Sequence, residues 1–140
     1  MKKVFFSLLA ALLLVSLVAC TTKENENDGW NKDYKVAMVT DYGDITDQSF
    51  NQATYEGAKA WCEENKIHFT YKKPVSDSDA DRIAATEKAI DEGYNVIVMP
   101  GYAFAPTIQE VAGKNPNVKF IALDVSKGDF AADYEIPSNV

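Results

Sequence analysis

An acidic cluster and an aromatic residue lie together in the stretch VTDYGDITDQSFNQATYEGAKAW, residues 39–61. The three acids and the two residues that follow them are Asp41, Asp44, Asp47, Phe50 and Asn51. A loop that only connects two elements needs polar residues, a glycine and a helix cap, so this combination is typical of the rim of a site. Three kinds of site could use it: a metal ion, a catalytic carboxylate pair, or a polar small molecule with a flat ring.

The metal and catalytic interpretations find little support. The aspartates recur at every third residue, whereas an EF-hand loop places its acids at alternate positions before a glycine. A looser calcium site, as in an exported nucleoside hydrolase, stays open as an alternative. A carboxylate pair could act as acid and base, but no histidine, serine elbow or cysteine stands at a predicted strand end, and no phosphate-binding glycine loop follows the first strand. We therefore predict a protein that is not an enzyme, with no catalytic residue, no metal and no cofactor.

A ligand-binding interpretation uses the same residues more fully. A carboxylate such as Asp41 can accept two hydrogen bonds from the vicinal hydroxyls of a ribose or another sugar, and the ring of Phe50 can stack on a flat base. Asn51 offers a donor and an acceptor, which suits the edge of a base. For Phe50, the residues alone leave a core position and a ligand contact equally open. Asp44 is interpreted as a solvated loop residue and Asp47 as a helix cap.

Four short apolar runs predict buried strands, at residues 35–41, 67–73, 94–101 and 118–124. Helical patterns separate them, at residues 48–65, 78–94 and 105–116. For the first helix, Ser49 with Gln52 fits a capping box, and Asp47 is an alternative cap. The predicted apolar face of the second helix consists of Ile83, Ala84, Ala89 and Ile90, and Gly93 is its stop signal.

This βαβαβαβ order predicts an α/β fold, a parallel sheet with helices on both faces. Such sheets bind ligands in the crevice beyond the carboxyl ends of their strands. The residues that come there are Asp41, Gly101, Tyr102 and Asp124. Gly101 gives the backbone freedom to turn and to approach a ligand closely.

The N-terminal residues have the layout of an export signal. Lys2 and Lys3 precede an almost continuous apolar run that is too short for a comfortable membrane span. The sequence LVAC at residues 17–20 resembles a bacterial lipobox, which implies cleavage after residues 1–19 and lipid attachment to Cys20. An ordinary signal peptide or an anchor helix are the alternatives. Residues 20–33 are predicted to be the lipidated cysteine and a flexible tether, and residues 34–140 the folded lobe.

Charge and cysteine content limit the partners. The formal net charge of -7, without a basic cluster, argues against nucleic acid and against a polybasic hold on a membrane. The membrane link would then be the lipid on Cys20 itself. Cys62, the other cysteine, lies in a helical pattern and is interpreted as a small buried residue rather than a reactive thiol.

Three strings carry a family resemblance: VTDYGDITDQSFNQATYEGA, NVIVMPGYAF and NPNVKFIALD. Together with the lipobox they resemble the basic membrane protein family of lipoproteins. These are substrate-binding components of nucleoside ABC importers, purine nucleoside receptors among them. The resemblance runs from about Lys35 to Val140 and implies a type I periplasmic-binding-protein-like lobe, with the chain stopping before a second lobe.

The family also implies roles for residues. Asp41 and Asp124 would hydrogen-bond the ribose or base, Phe50 would stack on the base, and Asn51 would bond its edge. The implied partners are a nucleoside, an ABC permease and the outer side of the cytoplasmic membrane, and the full-length protein would be a monomer. A receptor for a sugar or another small metabolite, or a tethered interaction module, are the alternatives.

Overall fold

The computed structural model describes residues 29–140, in which four parallel strands form one sheet of order β2-β1-β3-β4. The strands are β1 (Lys35–Val39), β2 (His68–Lys72), β3 (Val96–Pro100) and β4 (Lys119–Leu123). Each is one or two residues shorter, at one or both ends, than the apolar run that predicted it. The predicted α/β class and the parallel sheet are confirmed.

Three helices connect the strands in the described part of the chain. They are α1 (Phe50–Glu64), α2 (Asp79–Asp91) and α3 (Ala105–Val111). The first begins two residues later than predicted because Gln48 has a positive φ of 55°, which is incompatible with a right-handed helix. The second ends just before Gly93, whose φ of 85° matches its predicted role as a stop.

Alternate residues of each strand face the two layers, so the sheet has a core on each side. Strand residues Ala37, Val39, Ile97, Met99 and Phe120 pack with α2 and α3. Val36, Met38 and Val98 form the other core with Cys62 of α1. Helices therefore cover both faces, as the sequence predicted, and Cys62 is fully buried.

The α1 face of the sheet is covered only in part. A groove of about 570 Å³ remains between α1 and strands β3 and β4. Its walls include Trp61, which is 55% exposed, and Ile121, which is 47% exposed. Nearly all of its lining is apolar, so it lacks the convergent polar groups that would orient a small polar ligand.

The second helix packs with the predicted face toward the core, except at one of its four residues. Ala89 is buried, and Ile83 and Ile90 pack against the core, but Ala84 is exposed. The buried stripe instead includes Arg82 and Thr86. Residues 82 and 86 are one turn apart on the same face, and Ala84 lies between them on the opposite side, so its predicted core position is wrong.

Two residues before the predicted lobe boundary at residue 34, Trp30 and Asn31, contact the lobe. The ring of Trp30 stacks on His68 at 4.8 Å, and the Asn31 amide donates to the Lys66 carbonyl. Part of the predicted tether thus lies on the edge of the lobe. The predicted signal, residues 1–19, and Cys20 lie outside the described residues. Within residues 29–140, no helix has both the length and the apolar character needed to cross a membrane.

The buried side-chain amide of Asn139 connects the C-terminal segment to the chain between α3 and β4. Asn139 is 6% exposed, and its Nδ2 donates to the carbonyls of Ala112, Asn115 and Val118 at 3.1, 3.0 and 2.9 Å. We expect Asn139→Ala to lower the free energy of unfolding by about 1–3 kcal/mol, because the buried carbonyls lose their donor. Urea denaturation measures this, with the exposed Asn117→Ala as control. Equal losses in both variants would contradict this role.

Candidate ligand-binding site

A polar crevice of about 390 Å³ opens at the carboxyl ends of the strands, a volume within the range of small-molecule pockets. It is lined by Asp41, Tyr42, Gly43, Asp47, Ser49, Phe50, Asn51, Asp77, Gly101, Tyr102 and Ala103. The fold thus brings five of the six predicted ligand residues to one place. The exception is Asp124.

Asp41 is the centre of the crevice wall. It comes just after β1, and its Oδ1 accepts from the backbone amides of Tyr42 and Gly43 at 2.6 and 2.7 Å and from Asn51 Nδ2 at 2.9 Å. Burial alone would raise the pKa of Asp41, but these three hydrogen bonds outweigh it and hold the pKa below its ordinary value. All three bonds end on Oδ1, so Oδ2 is the oxygen left for a ligand hydroxyl.

Asp47 caps helix α1. Its Oδ1 accepts from the amides of Ser49 and Gln52 at 2.8 and 3.2 Å, and its Oδ2 accepts from Asn51 Nδ2 at 3.1 Å. The Ser49 side chain makes no cap bond, and Gln52 Oε1 accepts from the Gln48 amide instead. The alternative cap of the sequence analysis is therefore the correct one, and the Ser49–Gln52 capping box is wrong.

Asn51 connects the two carboxylates. It is 5% exposed, and its amide nitrogen is committed to Asp41 and Asp47. Its Oδ1 is buried without a hydrogen-bond partner. The side-chain type of Asn51 predicts both a donor and an acceptor role toward a ligand. In this structure the donor serves the loop, and the acceptor is the atom that lacks a partner.

Exposed aromatic rings form the rim. Phe50 is 43% exposed, Tyr42 46% and Tyr102 69%. Phe50 is thus on the crevice rather than in the core, a question that its position in the sequence left open. Gly101, with a φ of 111°, turns the chain out of β3 into a short 3₁₀ turn, Tyr102–Phe104. A residue with a side chain rarely adopts this conformation, so the predicted turn at Gly101 is confirmed, while its close approach to a ligand stays a prediction.

Asp44 points away from the crevice and shapes the loop. Its Oδ1 accepts from the backbone amide and the hydroxyl of Thr46, and its Oδ2 pairs with Lys73 Nζ at 3.3 Å. This is the loop role that the sequence predicted. In the part of the chain that the structure describes, no group of three or more acidic, histidine or cysteine residues is placed so that it could hold a metal ion.

Asp124 and Asp77 differ from the prediction that residues directly after the strands line the crevice. Asp124 follows β4, has a φ of 57° and is absent from the crevice lining, because β3 lies between β4 and β1. Its ligand role stays a prediction. Asp77 follows β2, the direct neighbour of β1, and lines the crevice although the sequence analysis missed it. Asp77 is separated from the end of β2 by Lys73, Pro74, Val75 and Ser76, so a rule that selects residues directly after a strand does not select it.

A parallel α/β lobe with a polar, aromatic-rimmed crevice at its strand ends has the architecture of a solute-binding protein. Residues 34–133 match the family described as "ABC transporter substrate-binding protein PnrA-like", and the chain belongs to this family. A solved solute-binding protein of an ABC transporter system from Aeropyrum pernix K1 superimposes with a TM-score of 0.61 at 25% identity, covering 74% of this chain and 27% of that one. The expected fold is thereby confirmed.

Two relatives carry informative names. An uncharacterized lipoprotein of Pyrococcus abyssi is 33% identical over 130 residues, 91% of this chain and 32% of that protein. The ABC transporter nucleoside-binding protein BmpA of Lactococcus lactis subsp. cremoris is 31% identical over 96 residues, 66% of this chain and 27% of that protein. The chain spans less than two fifths of the length of the curated relatives that it matches.

Gly43 is required by the hydrogen bonds of Asp41. A Cβ at this position would lie 2.3 Å from Asn51 Nδ2 and 3.1 Å from Asp41 Oδ1. We expect Gly43→Ala to break the Asp41–Asn51 bond, to raise the pKa of Asp41, and to cost about 1–3 kcal/mol of stability. Carbon-13 NMR titration of the aspartate carboxyls and urea denaturation measure the two effects.

The control is Gly57→Ala, at an exposed helical position where a Cβ meets nothing within 4 Å. This change should stabilise the protein by about 0.5–1 kcal/mol. An unchanged pKa of Asp41 in Gly43→Ala would contradict the steric argument.

The lowered pKa values of Asp41 and Asp47 predict a loss of stability in acid. For Asp47, burial acts to raise the pKa. The hydrogen bonds from Ser49, Asn51 and Gln52 outweigh this effect, so the pKa lies below its ordinary value. A carboxyl whose folded pKa is depressed stabilises the fold above its unfolded pKa of about 3.9 and loses this contribution as the pH falls through the folded value.

We therefore expect the stability difference between the wild type and Asp41→Asn to be constant above about pH 5 and to shrink below about pH 4. Urea denaturation as a function of pH measures it. Asp133→Asn, at an exposed position, serves as the control. A difference for Asp41→Asn that stays constant down to the acid limit would show that Asp41 is not stabilised as a carboxylate.

Proposed function

We propose that this chain supplies a lobe of a lipid-anchored substrate-binding protein that captures a nucleoside, preferably a purine nucleoside, for an ABC importer. The observation that carries the proposal is the pairing of the fixed Asp41 carboxylate with the exposed ring of Phe50 on one crevice. A carboxylate suits the hydroxyls of a ribose, and an exposed aromatic ring suits the face of a base.

The rim geometry supports a ligand with both a sugar and a ring. Asp41 and Asp47 make the inner wall acidic and acceptor-rich, while Phe50 and Tyr102 flank the opening. In the proposed complex, Asp41 Oδ2 accepts from a ribose hydroxyl, and Phe50 stacks on the base. The unpartnered Oδ1 of Asn51 would take an N–H from the base edge after a small shift of the loop.

The relatives support the same class of ligand and the same place in the cell. BmpA of Lactococcus lactis is named as a nucleoside-binding component of an ABC transporter, and the relative from Pyrococcus abyssi is named as a lipoprotein. By this proposal the lipid on Cys20 holds the protein at the outer side of the cytoplasmic membrane. There it passes its ligand to the permease and catalyses no reaction.

A single lobe contacts only one side of its ligand. Stacking on one aromatic ring contributes roughly 1–3 kcal/mol per base, whereas micromolar affinity requires about 8 kcal/mol. We therefore expect this chain to bind nucleosides with dissociation constants on the order of 1 mM. Sub-micromolar binding by this chain would overturn the single-lobe interpretation.

The test is a nitrogen-15 NMR titration of the full chain, kept in mild detergent because residues 4–18 are almost continuously apolar. The ligands are inosine, guanosine, adenosine, cytidine and ribose. We expect purine nucleosides to shift the amides of Tyr42, Gly43 and Asn51. Asp41→Asn and Phe50→Ala should each weaken binding at least tenfold, which corresponds to a loss of about 1.4 kcal/mol.

The matched control is Trp61→Ala, which removes another exposed aromatic ring from the same helix but lies outside the crevice. It should leave the affinity unchanged. If no nucleoside shifts these amides, or if ribose alone shifts them equally well, the nucleoside proposal fails.

A further inference from the structure

Arg82 is the single arginine of the sequence, and it is buried directly behind the crevice. It lies in the first turns of α2, with only 7% of its side chain exposed. Its NH1 donates to Asp77 Oδ1 at 2.7 Å and to the main-chain carbonyl of Asp41 at 3.3 Å, and its NH2 donates to Asp79 Oδ1 at 2.7 Å. One side chain thus connects the loop after β1, the loop after β2 and the start of α2.

Stabilisation of the fold does not by itself account for the burial of Arg82. Burying a guanidinium group is costly, and buried ion pairs often stabilise a fold no better than apolar residues of similar size. Both acidic partners are largely exposed, at 72% for the Asp77 side chain and 54% for that of Asp79, so water could solvate them without Arg82. In addition, Arg82 Nε is buried with no hydrogen-bond partner, which is a further cost.

The position of the contacts suggests another role. Asp41 and Asp77 both line the crevice, and Arg82 NH1 contacts both of them. The planar fork of arginine can hold several acceptors in a fixed geometry, which the single ammonium of a lysine does with much less precision. The contact with Asp41 is made to its main chain, so it sets the place of the residue without consuming its carboxylate.

We propose that Arg82 is the positioning residue of the crevice, which fixes the main chain at Asp41 and the side chain of Asp77 so that both acids face the ligand. The effect of Arg82 on ligand affinity rests on the proposed nucleoside function. The effect of Arg82 on the geometry of the loop does not. Desolvation acts to lower the pKa of Arg82, but Asp79 and Asp77 outweigh it and raise the pKa. Arg82 therefore stays charged at every physiological pH, and its hydrogen bonds to the two loops do not depend on pH in this range.

Three variants test the proposal in the full chain. Arg82→Lys keeps the charge but removes the fork, and Asp77→Asn removes the charged partner that lines the crevice. Asp79→Asn is the matched control, because it also removes a partner of Arg82 but is absent from the crevice lining. Asp77 and Asp79 are both exposed, so these two variants keep a folded protein even if Arg82→Lys does not.

The first readout is amide hydrogen exchange, which needs no ligand. The amides of Tyr42 and Gly43 donate to Asp41 Oδ1 and report on the loop, whereas the amides of Met38 and Val98 report on the central strands. We expect Arg82→Lys and Asp77→Asn to speed exchange at the loop amides at least tenfold, with the strand amides unchanged. Asp79→Asn should leave the loop amides near their wild-type rates.

A purely structural Arg82 would give a different pattern. Exchange would then increase at strand and loop amides alike, or Asp77→Asn and Asp79→Asn would have the same effect, and either result would overturn the proposal. If Arg82→Lys does not fold, the comparison of Asp77→Asn with Asp79→Asn decides.

The second readout is the nucleoside titration. We expect Arg82→Lys and Asp77→Asn to weaken binding at least fivefold and Asp79→Asn to leave it unchanged. If the wild type binds no nucleoside, the proposed function fails, but the exchange measurement still decides whether Arg82 positions the loop. If nucleosides bind equally well to the wild type and to all three variants, the positioning proposal fails while the proposed function stands.

Discussion

The crevice depends on the hydrogen bonds that end on Asp41 Oδ1. Two come from the following backbone amides and one from Asn51, so a single carboxylate oxygen fixes the turn after β1 and ties it to α1. The hydrogen bond from Asn51 to Asp41 requires glycine at position 43, because a Cβ there would clash with the side-chain amide of Asn51. It also determines which oxygen of Asp41 is left for a ligand.

The acidic wall of the crevice is stabilised mostly by amides rather than by cations. Asp41 and Asp47 share Asn51 as a donor. The other donors to Asp41 are backbone N–H groups of the turn after β1, and those to Asp47 are backbone N–H groups at the start of α1. Arg82 contributes a positive charge only from behind, through Asp77 and the Asp41 carbonyl. Hydrogen-bond donors held in place in this way lower the pKa of a carboxylate without a metal ion. A wall of ionised acceptors is then available to hydroxyl and N–H groups.

The lobe is open on two sides. The crevice meets solvent at the strand ends, and the apolar groove over β3 and β4 leaves part of the sheet uncovered. Parallel sheets are normally covered on both faces, and the curated relatives are more than twice as long as the stretch that matches them.

The sequence alone determined the βαβαβαβ order, the parallel sheet and four residues of the crevice, Asp41, Asn51, Gly101 and Tyr102. Short apolar runs, helical periodicity, the strand-end rule and the type of a polar side chain can all be read from short segments of sequence. Tertiary structure decided the rest. The packing of α2 buried Arg82 and left Ala84 exposed, and the strand order brought Asp77 to the crevice while leaving Asp124 out of its lining. Phe50 was ambiguous because a ring in the first turn of a helix can face either core or solvent. Such choices depend on which strands become neighbours and how each helix is rotated, and no single segment of sequence contains that information.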